Sequence, residues 1–572
     1  MALVDLKVPD IGGSKDVNIA EIYVKVGDLI NKDDNILMLE TDKATMEVPA
    51  EFSGIVKEIC VKIGTKVNEG DLILKLDNQQ KQQEIKNNKP QQDESINKVS
   101  NVDDSCEVLV IGAGPGGYTA AFRAADLGKK VTLIEKHPTL GGVCLNVGCI
   151  PSKALLHVAK VINEAEEMKS HGVGFGEVKL DINKIRDYKS GVVKKLTLGL
   201  NGLAKQRKVN VIEGIAKFTS ANTVKVETEN GIKNIQFDSA IIAVGSHSVK
   251  LPNFPNDDNR IIDSTSALEL DSIPKSMLIV GGGIIGLEMA EVYSTLGANI
   301  TVVELGDSLI PSADRDLVKV LESRIKKKYK AIYTNTLCDK VEAKKDGIYV
   351  TFKGPNGFNE THKYDKVLVA VGRRPNGKNL DVEKAGVFID ERGFIPVDKQ
   401  CRTNIPRIFA IGDVVGQPML AHKATHEGRV AAENCASGKS YFDARTIPSV
   451  AYTDPEIAWM GITENEAKKN GLEIEVGKFP WAASGRALGN GRDDGFTKII
   501  TDKKNNKIIG AGIVGVNAGE LLAEAVLAME MDCDIHDVAL TVHAHPTLSE
   551  TIAFACEMVD GSITDLYVPK KK

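Results

Sequence analysis

Two stretches of this 572-residue chain repeat one pattern: an apolar run, a glycine turn, an apolar helix, a second apolar run and a glutamate. The first runs from Glu107-Val108-Leu109-Val110-Ile111 through Gly112-Ala113-Gly114-Pro115-Gly116-Gly117 and an Ala-rich stretch to Leu127, then Val131-Thr132-Leu133-Ile134 and Glu135. The second runs from Met277-Leu278-Ile279-Val280 through Gly281-Gly282-Gly283-Ile284-Ile285-Gly286 and a helix to Leu296, then Ile300 to Val303 and Glu304. Each is a full dinucleotide fingerprint. Gly112, Gly114 and Gly117, and likewise Gly281, Gly283 and Gly286, let the backbone approach a pyrophosphate at a helix N-terminus. Glu135 and Glu304 stand in register to accept from ribose hydroxyls. A simple tight turn needs no such acid, so two α/β domains and two dinucleotides are expected. Glu304 would repel a 2′-phosphate, and Leu305-Gly306-Asp307 brings no arginine to hold one, which favours NAD at the second site.

Between the fingerprints lies Gly141-Gly142-Val143-Cys144-Leu145-Asn146-Val147-Gly148-Cys149-Ile150-Pro151-Ser152-Lys153. In an ideal helix the two cysteines would stand about 7.5 Å apart along the axis. A relaxed disulfide wants Cα atoms within roughly 4.4–6.8 Å. Bonding requires a distorted turn, and Gly148 and Pro151 supply the joint. Two readings stand at this point: a strained redox pair, or two thiols that never meet.

Net charge is −6 without a long basic block, which points away from nucleic acid and anionic membrane partners. Nine cysteines, odd in number and scattered, are not a secreted disulfide framework. No apolar run reaches the length of about 20 that spans a bilayer, and a strand-like pattern begins at Leu3, so no leader is expected. The cytoplasm is the expected compartment.

Residues 1–77 alternate with period two and contain a repeat: Glu21-Ile22-Tyr23-Val24-Lys25-Val26-Gly27 recurs as Glu58-Ile59-Cys60-Val61-Lys62-Ile63-Gly64. Two such β-units predict a flattened barrel or sandwich. Asp42-Lys43-Ala44 falls between two strand halves and should form a hairpin tip. Residues 78–104 are rich in Gln, Asn, Lys and acids with little apolar content, the composition of a disordered tether. The expected domains are 1–77, linker 78–104, 105–252, 253–378, a central segment 379–448 and an α+β interface domain 449–572.

The strand reaching Ala410-Ile411-Gly412-Asp413 delivers an acid into a loop, before a helix that opens near Leu420-Ala421. Near the C-terminus stands His543-Ala544-His545-Pro546-Thr547-Leu548-Ser549-Glu550. A metal site would need a third ligand nearby. A His545–Glu550 dyad and an ordinary surface pair remain as readings.

Taken together, residues 105–572 resemble the pyridine nucleotide–disulfide oxidoreductases, and among them the dihydrolipoamide dehydrogenases, through the 141–153 stretch, both fingerprints, Ala410–Asp413 and 543–550. Residues 1–77 resemble lipoyl domains, whose lysine lies in an Asp-Lys-Ala context; biotin carriers usually flank it with Met. The resemblance implies lipoate on Lys43. It implies FAD at Gly112, Gly114, Gly117, Glu135, Lys153, Ala216, Asp413 and Ala421, and NAD at Gly281, Gly283, Gly286, Glu304, Cys338, Ala370, Gly372 and Arg373, with no metal. It implies that Glu288 pairs with Lys153 beside the flavin, that Cys144 and Cys149 form the redox disulfide, and that His545 and Glu550 act on a partner subunit's site in a homodimer. It further implies oxidation of dihydrolipoamide within a 2-oxo acid dehydrogenase complex, with the acyltransferase as partner. Mercuric reductase is the nearest rival; it would need a second cysteine pair near the C-terminus, where this chain has Val568-Pro569-Lys570-Lys571-Lys572. A lipoyl scaffold that merely docks is the rival from another class.

One consequence follows for cofactor choice. Replacing Glu304 by Gln should weaken the preference for NADH over NADPH; unchanged steady-state kinetics with both would refute the assignment.

Overall fold

The computed structural model describes residues 3–9, 16–30, 35–40, 45–50, 52, 54–77 and 102–567. The chain divides into two compact units, Met1–Val99 and Ser100–Lys572.

The first unit is two four-stranded antiparallel sheets. One orders Leu3–Lys7, Leu72–Asp77, Gly54–Ile59 and Leu29–Ile30; the other orders Thr45–Pro49, Asn35–Glu40, Val17–Ile22 and Lys66–Val67. The repeat read from the sequence places its two halves in different sheets, and their alternating residues meet between them: Leu6, Ile19, Ile36, Leu39, Val56 and Leu76 are fully buried. Asn35–Glu40 pairs with Thr45–Pro49 so that Glu40 faces Thr45. The expected hairpin tip with Lys43 lies outside the described residues, as do residues 78–101 of the expected linker. Asp104, the linker's expected last residue, instead opens the strand Asp104–Ile111, because Ile235–Phe237 extend the neighbouring strand and give it backbone partners.

The second unit holds three larger sheets, besides a two-stranded ribbon of Ser246–Ser248 with Arg373–Pro375 and a three-stranded sheet of Leu337–Lys344, Gly347–Lys353 and Asn359–Tyr364. In the first, Asn210–Glu213, Val131–Glu135, Asp104–Ile111 and Gly231–Ile242 run parallel, and Ile408–Ala410 adds to Gly231–Ile242. The segment after residue 379 therefore returns to the first domain, where helix Ala421–Ala436 lies on helix Pro115–Asp126 so closely that a Cβ on Gly428 would stand 2.5 Å from the Gly116 carbonyl oxygen. The second sheet is five parallel strands in the order Ile261–Ile262, Lys366–Val369, Ser276–Val280, Asn299–Val303 and Ala331–Tyr333. The third is five antiparallel strands backed by helices Ala518–Glu530 and Glu550–Asp560, an α+β arrangement.

The helical stretch Gly142–His171 has the length and apolar character of a membrane span, which the sequence reading did not expect. It is broken at Gly148 and packs on helices Ile182–Gln206 and Ile284–Thr295, which marks it as a core element.

Domain placement depends on buried charge. Lys498 of the third sheet has a 1% exposed side chain and donates to Asp314 at 2.8 Å, Asp316 at 3.0 Å and Glu464 at 2.7 Å. Asp314 and Asp316 stand at the start of helix Arg315–Ile325 beside the second sheet, so one ammonium clamps two domains. These three carboxylates are the one group with metal-like spacing among the described residues, and the ammonium already occupies it. Lys498→Met should cost about 3–5 kcal/mol by leaving carboxylates uncompensated. The deficit, read from urea midpoints, should shrink as pH falls and Asp316, whose carboxyl, against the effect of burial, Lys478 and Lys498 hold below its usual range, takes up its proton; a variant as stable as the parent at neutral pH would refute the clamp.

Candidate active site

The two fingerprints form matching cradles. Gly112 has φ +101° and Gly281 φ +106°, and a Cβ at either would meet the carbonyl oxygen of Ala243 or Ala370 at 2.4 Å. A Cβ on Gly117 would lie 1.8 Å from the Gly112 oxygen, and on Gly286 2.2 Å from the Gly281 oxygen, so glycine is required for helix and turn to close up. Around Gly114 and Gly283 there is open space, and neither helix start has a side-chain cap. Exposed backbone N–H groups at a helix N-terminus suit a pyrophosphate.

Each glutamate is held by its own turn. Glu135 Oε2 accepts from the Ala113 N–H at 2.7 Å and Oε1 from the His137 N–H at 3.1 Å. Glu304 repeats this with Gly282 and Gly306, both at 2.7 Å. These bonds aim the carboxylates across the cradles and leave lone pairs for ribose hydroxyls.

A cavity of about 1740 Å³ runs past both cradles. Its lining includes Gly112, Gly114, Gly117, Glu135, Lys153, Ala216, Asp413 and Ala421 from the first expected set, and Gly281, Gly283, Glu304, Cys338, Ala370, Gly372 and Arg373 from the second. Gly286 is not in the lining; its role is packing. The volume exceeds the roughly 300–1,000 Å³ of ordinary small-molecule sites and fits two extended cofactors.

Cys144 and Cys149 both line this cavity as free cysteines. Cys144 sits on helix Gly142–Val147 and Cys149 opens helix Cys149–Glu167, with the break at Gly148 (φ −145°, ψ −115°). A Cβ there would meet the Val143 oxygen at 2.8 Å. This is the distorted joint the spacing demanded, and it brings the sulfurs into hydrogen-bond contact. The bond between the two sulfurs, and then burial, push the Cys144 thiol up. The same bond, followed by the Lys153 cation, outweighs burial and brings Cys149 down to about 7.

Lys153 Nζ lies 3.0 and 2.9 Å from the two oxygens of Glu288, whose side chain is 5% exposed. Sequence reasoning missed Tyr452, which donates its backbone N–H to Glu288 at 3.2 Å and sets its ring 4.3 Å from Lys153 Nζ. It also missed Ser246. That hydroxyl bonds to Asp413, and Arg373 donates to Ser246 Oγ and to its carbonyl oxygen, both at 2.7 Å, so the two dinucleotide sites share a relay. Ser246 ends a strand–turn visible in the sequence; nothing near Tyr452 signals its contact with a helix 164 residues away.

His545 Nδ1 meets Glu550 Oε1 at 2.9 Å, and Glu550 Oε2 accepts from the Thr547 N–H at 2.6 Å. The ring is 80% exposed and does not reach its own chain's cavity. Leu540 and Val542, 82% and 97% exposed, precede it in the same stretch, apolar surface suited to a second subunit.

Two dinucleotide cradles opening on one cavity with a thiol–thiolate pair define a disulfide-exchanging, nucleotide-dependent oxidoreductase. The chain belongs to the pyridine nucleotide-disulphide oxidoreductase family, whose model matches residues 106–428. The family's dimerisation domain matches residues 447–556, which supports a homodimer. A third model, described as biotin-requiring enzyme, matches residues 4–76. The chain is 59% identical over 466 residues to a dihydrolipoyl dehydrogenase of Vibrio cholerae, covering 82% of this chain and 98% of that one. It is 46% identical over 456 residues to one of Geobacillus stearothermophilus, covering 80% and 96%. Among solved structures, the Cu(II) complex of the HOCl-induced flavoprotein disulfide reductase RclA from Escherichia coli superposes with TM-score 0.72 at 27% identity, covering 80% of this chain and 99% of that one. LpdA from Mycobacterium tuberculosis gives 0.72 at 25% identity, covering 79% and 99%.

Alkylation of the reduced Cys144–Cys149 pair should climb in rate as pH rises through about 7. Lys153→Met should move that climb to higher pH by removing the cation beside the thiolate. An unchanged profile would show that Lys153 does not set the thiolate.

Proposed function

We propose that the protein oxidises dihydrolipoyl groups and passes the electrons to NAD through Cys144, Cys149 and FAD, as a component of a 2-oxo acid dehydrogenase complex. The observation that carries this is the thiol–thiolate pair on a cavity lined by both dinucleotide cradles. The two relatives named dihydrolipoyl dehydrogenase support the choice of substrate.

Gly112, Gly114, Gly117, Glu135, Lys153, Ala216, Asp413 and Ala421 would hold FAD. Gly281, Gly283, Glu304, Cys338, Ala370, Gly372 and Arg373 would hold NAD, with Gly286 closing its turn. When bound, the two cofactors supply the two-electron carriage from dithiol to nicotinamide.

The residues supply the rest. Glu550 holds the proton on His545 Nδ1 and leaves Nε2 free to take one from a substrate thiol, because thiolate is the attacking form. His545 would serve the partner's thiol pair. In the oxidised enzyme the substrate thiolate attacks Cys144 Sγ, the Cys144–Cys149 bond breaks, and Cys149 leaves as a thiolate beside Lys153. The second substrate thiol loses its proton, closes the dithiolane ring and releases Cys144. The substrate has lost two electrons and the cysteine pair has gained them.

Residues 1–77 would carry lipoate on Lys43, for which the Asp42 and Ala44 neighbours speak. The acyltransferase of the complex would be the partner, and the cytoplasm, a reducing compartment, suits a dithiol cycle.

Cys144→Ser and Cys149→Ser should each abolish lipoamide turnover while FAD stays bound, and His545→Gln should cut it by about 10²–10⁴-fold. Near-normal turnover in either serine variant would overturn the proposal. Intact mass of protein from lipoate-fed cells should show one lipoyl increment, lost in Lys43→Arg; no increment would remove Lys43 from it.

A further inference from the structure

The 543–550 stretch holds two histidines, and the reaction above uses one. Their surroundings differ. His545 Nδ1 meets a carboxylate at 2.9 Å and the ring is 80% exposed. His543 is 10% exposed; its Nδ1 lies 2.8 Å from the Thr541 carbonyl oxygen and its Nε2 2.6 Å from Glu524 Oε1. A carbonyl oxygen and an ionised carboxylate only accept, so both His543 nitrogens must donate. That requires the imidazolium. His545 needs a proton on Nδ1 alone and keeps a lone pair on Nε2. One ring is wired as a base and the other as a fixed cation.

The cation joins two elements. Glu524 belongs to helix Ala518–Glu530, while Thr541 belongs to the loop that carries His545. That loop has few apolar anchors: Leu540 and Val542 point outward, and Leu548 is its buried side chain.

We propose that His543 is the positioning residue of this loop: as an imidazolium bonded to Thr541 and Glu524, it pins the loop to helix Ala518–Glu530 and thereby presents His545 to the partner's thiol pair. This rests on the proposed role of His545 as the base.

A pH dependence follows. The charged groups facing His543 are Glu524 on one helix and Glu550 and Glu557 on the other. Burial pulls the His543 pKa down, but the bonds to Glu524 and Thr541 and the charges of Glu524 and Glu550 outweigh it, so the net shift is upward. A histidine raised in the folded state contributes its stabilisation below its ordinary pKa and loses it as pH rises through the raised value. Substrate oxidation therefore falls at alkaline pH, when His543 deprotonates and frees the loop.

The test uses the full-length holoenzyme and two assays across pH: dihydrolipoamide-dependent NAD reduction, and NADH-dependent ferricyanide reduction, which needs no thiol proton removed. His543→Phe should lower the first on the order of 10–100-fold with the second unchanged. Glu524→Gln should move the alkaline fall of the first to lower pH, and His543→Lys, a cation throughout, should abolish that fall. Should His543→Phe not give folded dimer, the Glu524→Gln profile decides. Parent-like dihydrolipoamide turnover in His543→Phe, or an alkaline limb that Glu524→Gln leaves in place, overturns the inference and leaves the proposed function standing. A parent enzyme without dihydrolipoamide turnover at any pH overturns the proposed function itself.

Discussion

Three domains meet at one ion pair. Lys153 comes from the helix that Cys149 opens, Glu288 from the helix of the second fingerprint, and Tyr452 from the segment entering the third sheet. A carboxylate 5% exposed is costly without a partner; here it has a cation and a backbone N–H. The same cation lowers the Cys149 thiol. The contact that docks the domains thus also sets the charge of the sulfur, and a shift of any one domain would be felt as a change in thiolate character.

A second network extends the same logic along the redox helix. Arg324 of the second domain bonds to Glu167 at that helix's far end and, at 2.8 Å, to Asp454 of the third. Arg492 meets Asp454 at 2.6 Å and Asp494 at 3.1 Å. Both ends of helix Cys149–Glu167 are therefore fixed by charge, while its cavity end keeps the irregular joint at Gly148.

The parts of this protein legible in its sequence are those where chemistry admits one residue type. Gly112, Gly117, Gly281 and Gly286 stand where a Cβ would strike a carbonyl oxygen, so their spacing announces the turn. Glu135 and Glu304 were legible because each grips a turn 22 residues earlier, a distance the βαβ unit dictates. The Cys144–Cys149 spacing showed that a joint was needed but not which sulfur would hold the proton, since that depends on Lys153 and Glu288. Tyr452 and Lys498 left no local trace, and the strand–turn ending at Ser246 was legible without its partners. Apart from Glu464, which is 34 residues from Lys498, their partners lie more than 100 residues away, and tyrosine, serine and lysine are common in segments with no such duty.

The separation of His545 from the cavity of its own chain shows how division between subunits protects the chemistry. A base held permanently against the Cys144–Cys149 pair would bury an imidazole beside a thiolate and an ammonium, a mixed set of charges out of water. Placed on an exposed loop, His545 keeps its solvation until two copies meet, and only Glu550 tunes its tautomer. The apolar residues Leu540 and Val542 beside it supply association energy at the place where the base must be delivered. In the proposed reaction, dimer formation and completion of the active site would be one event. This gives a physical reason for two highly exposed apolar side chains to stand in the same loop as His545.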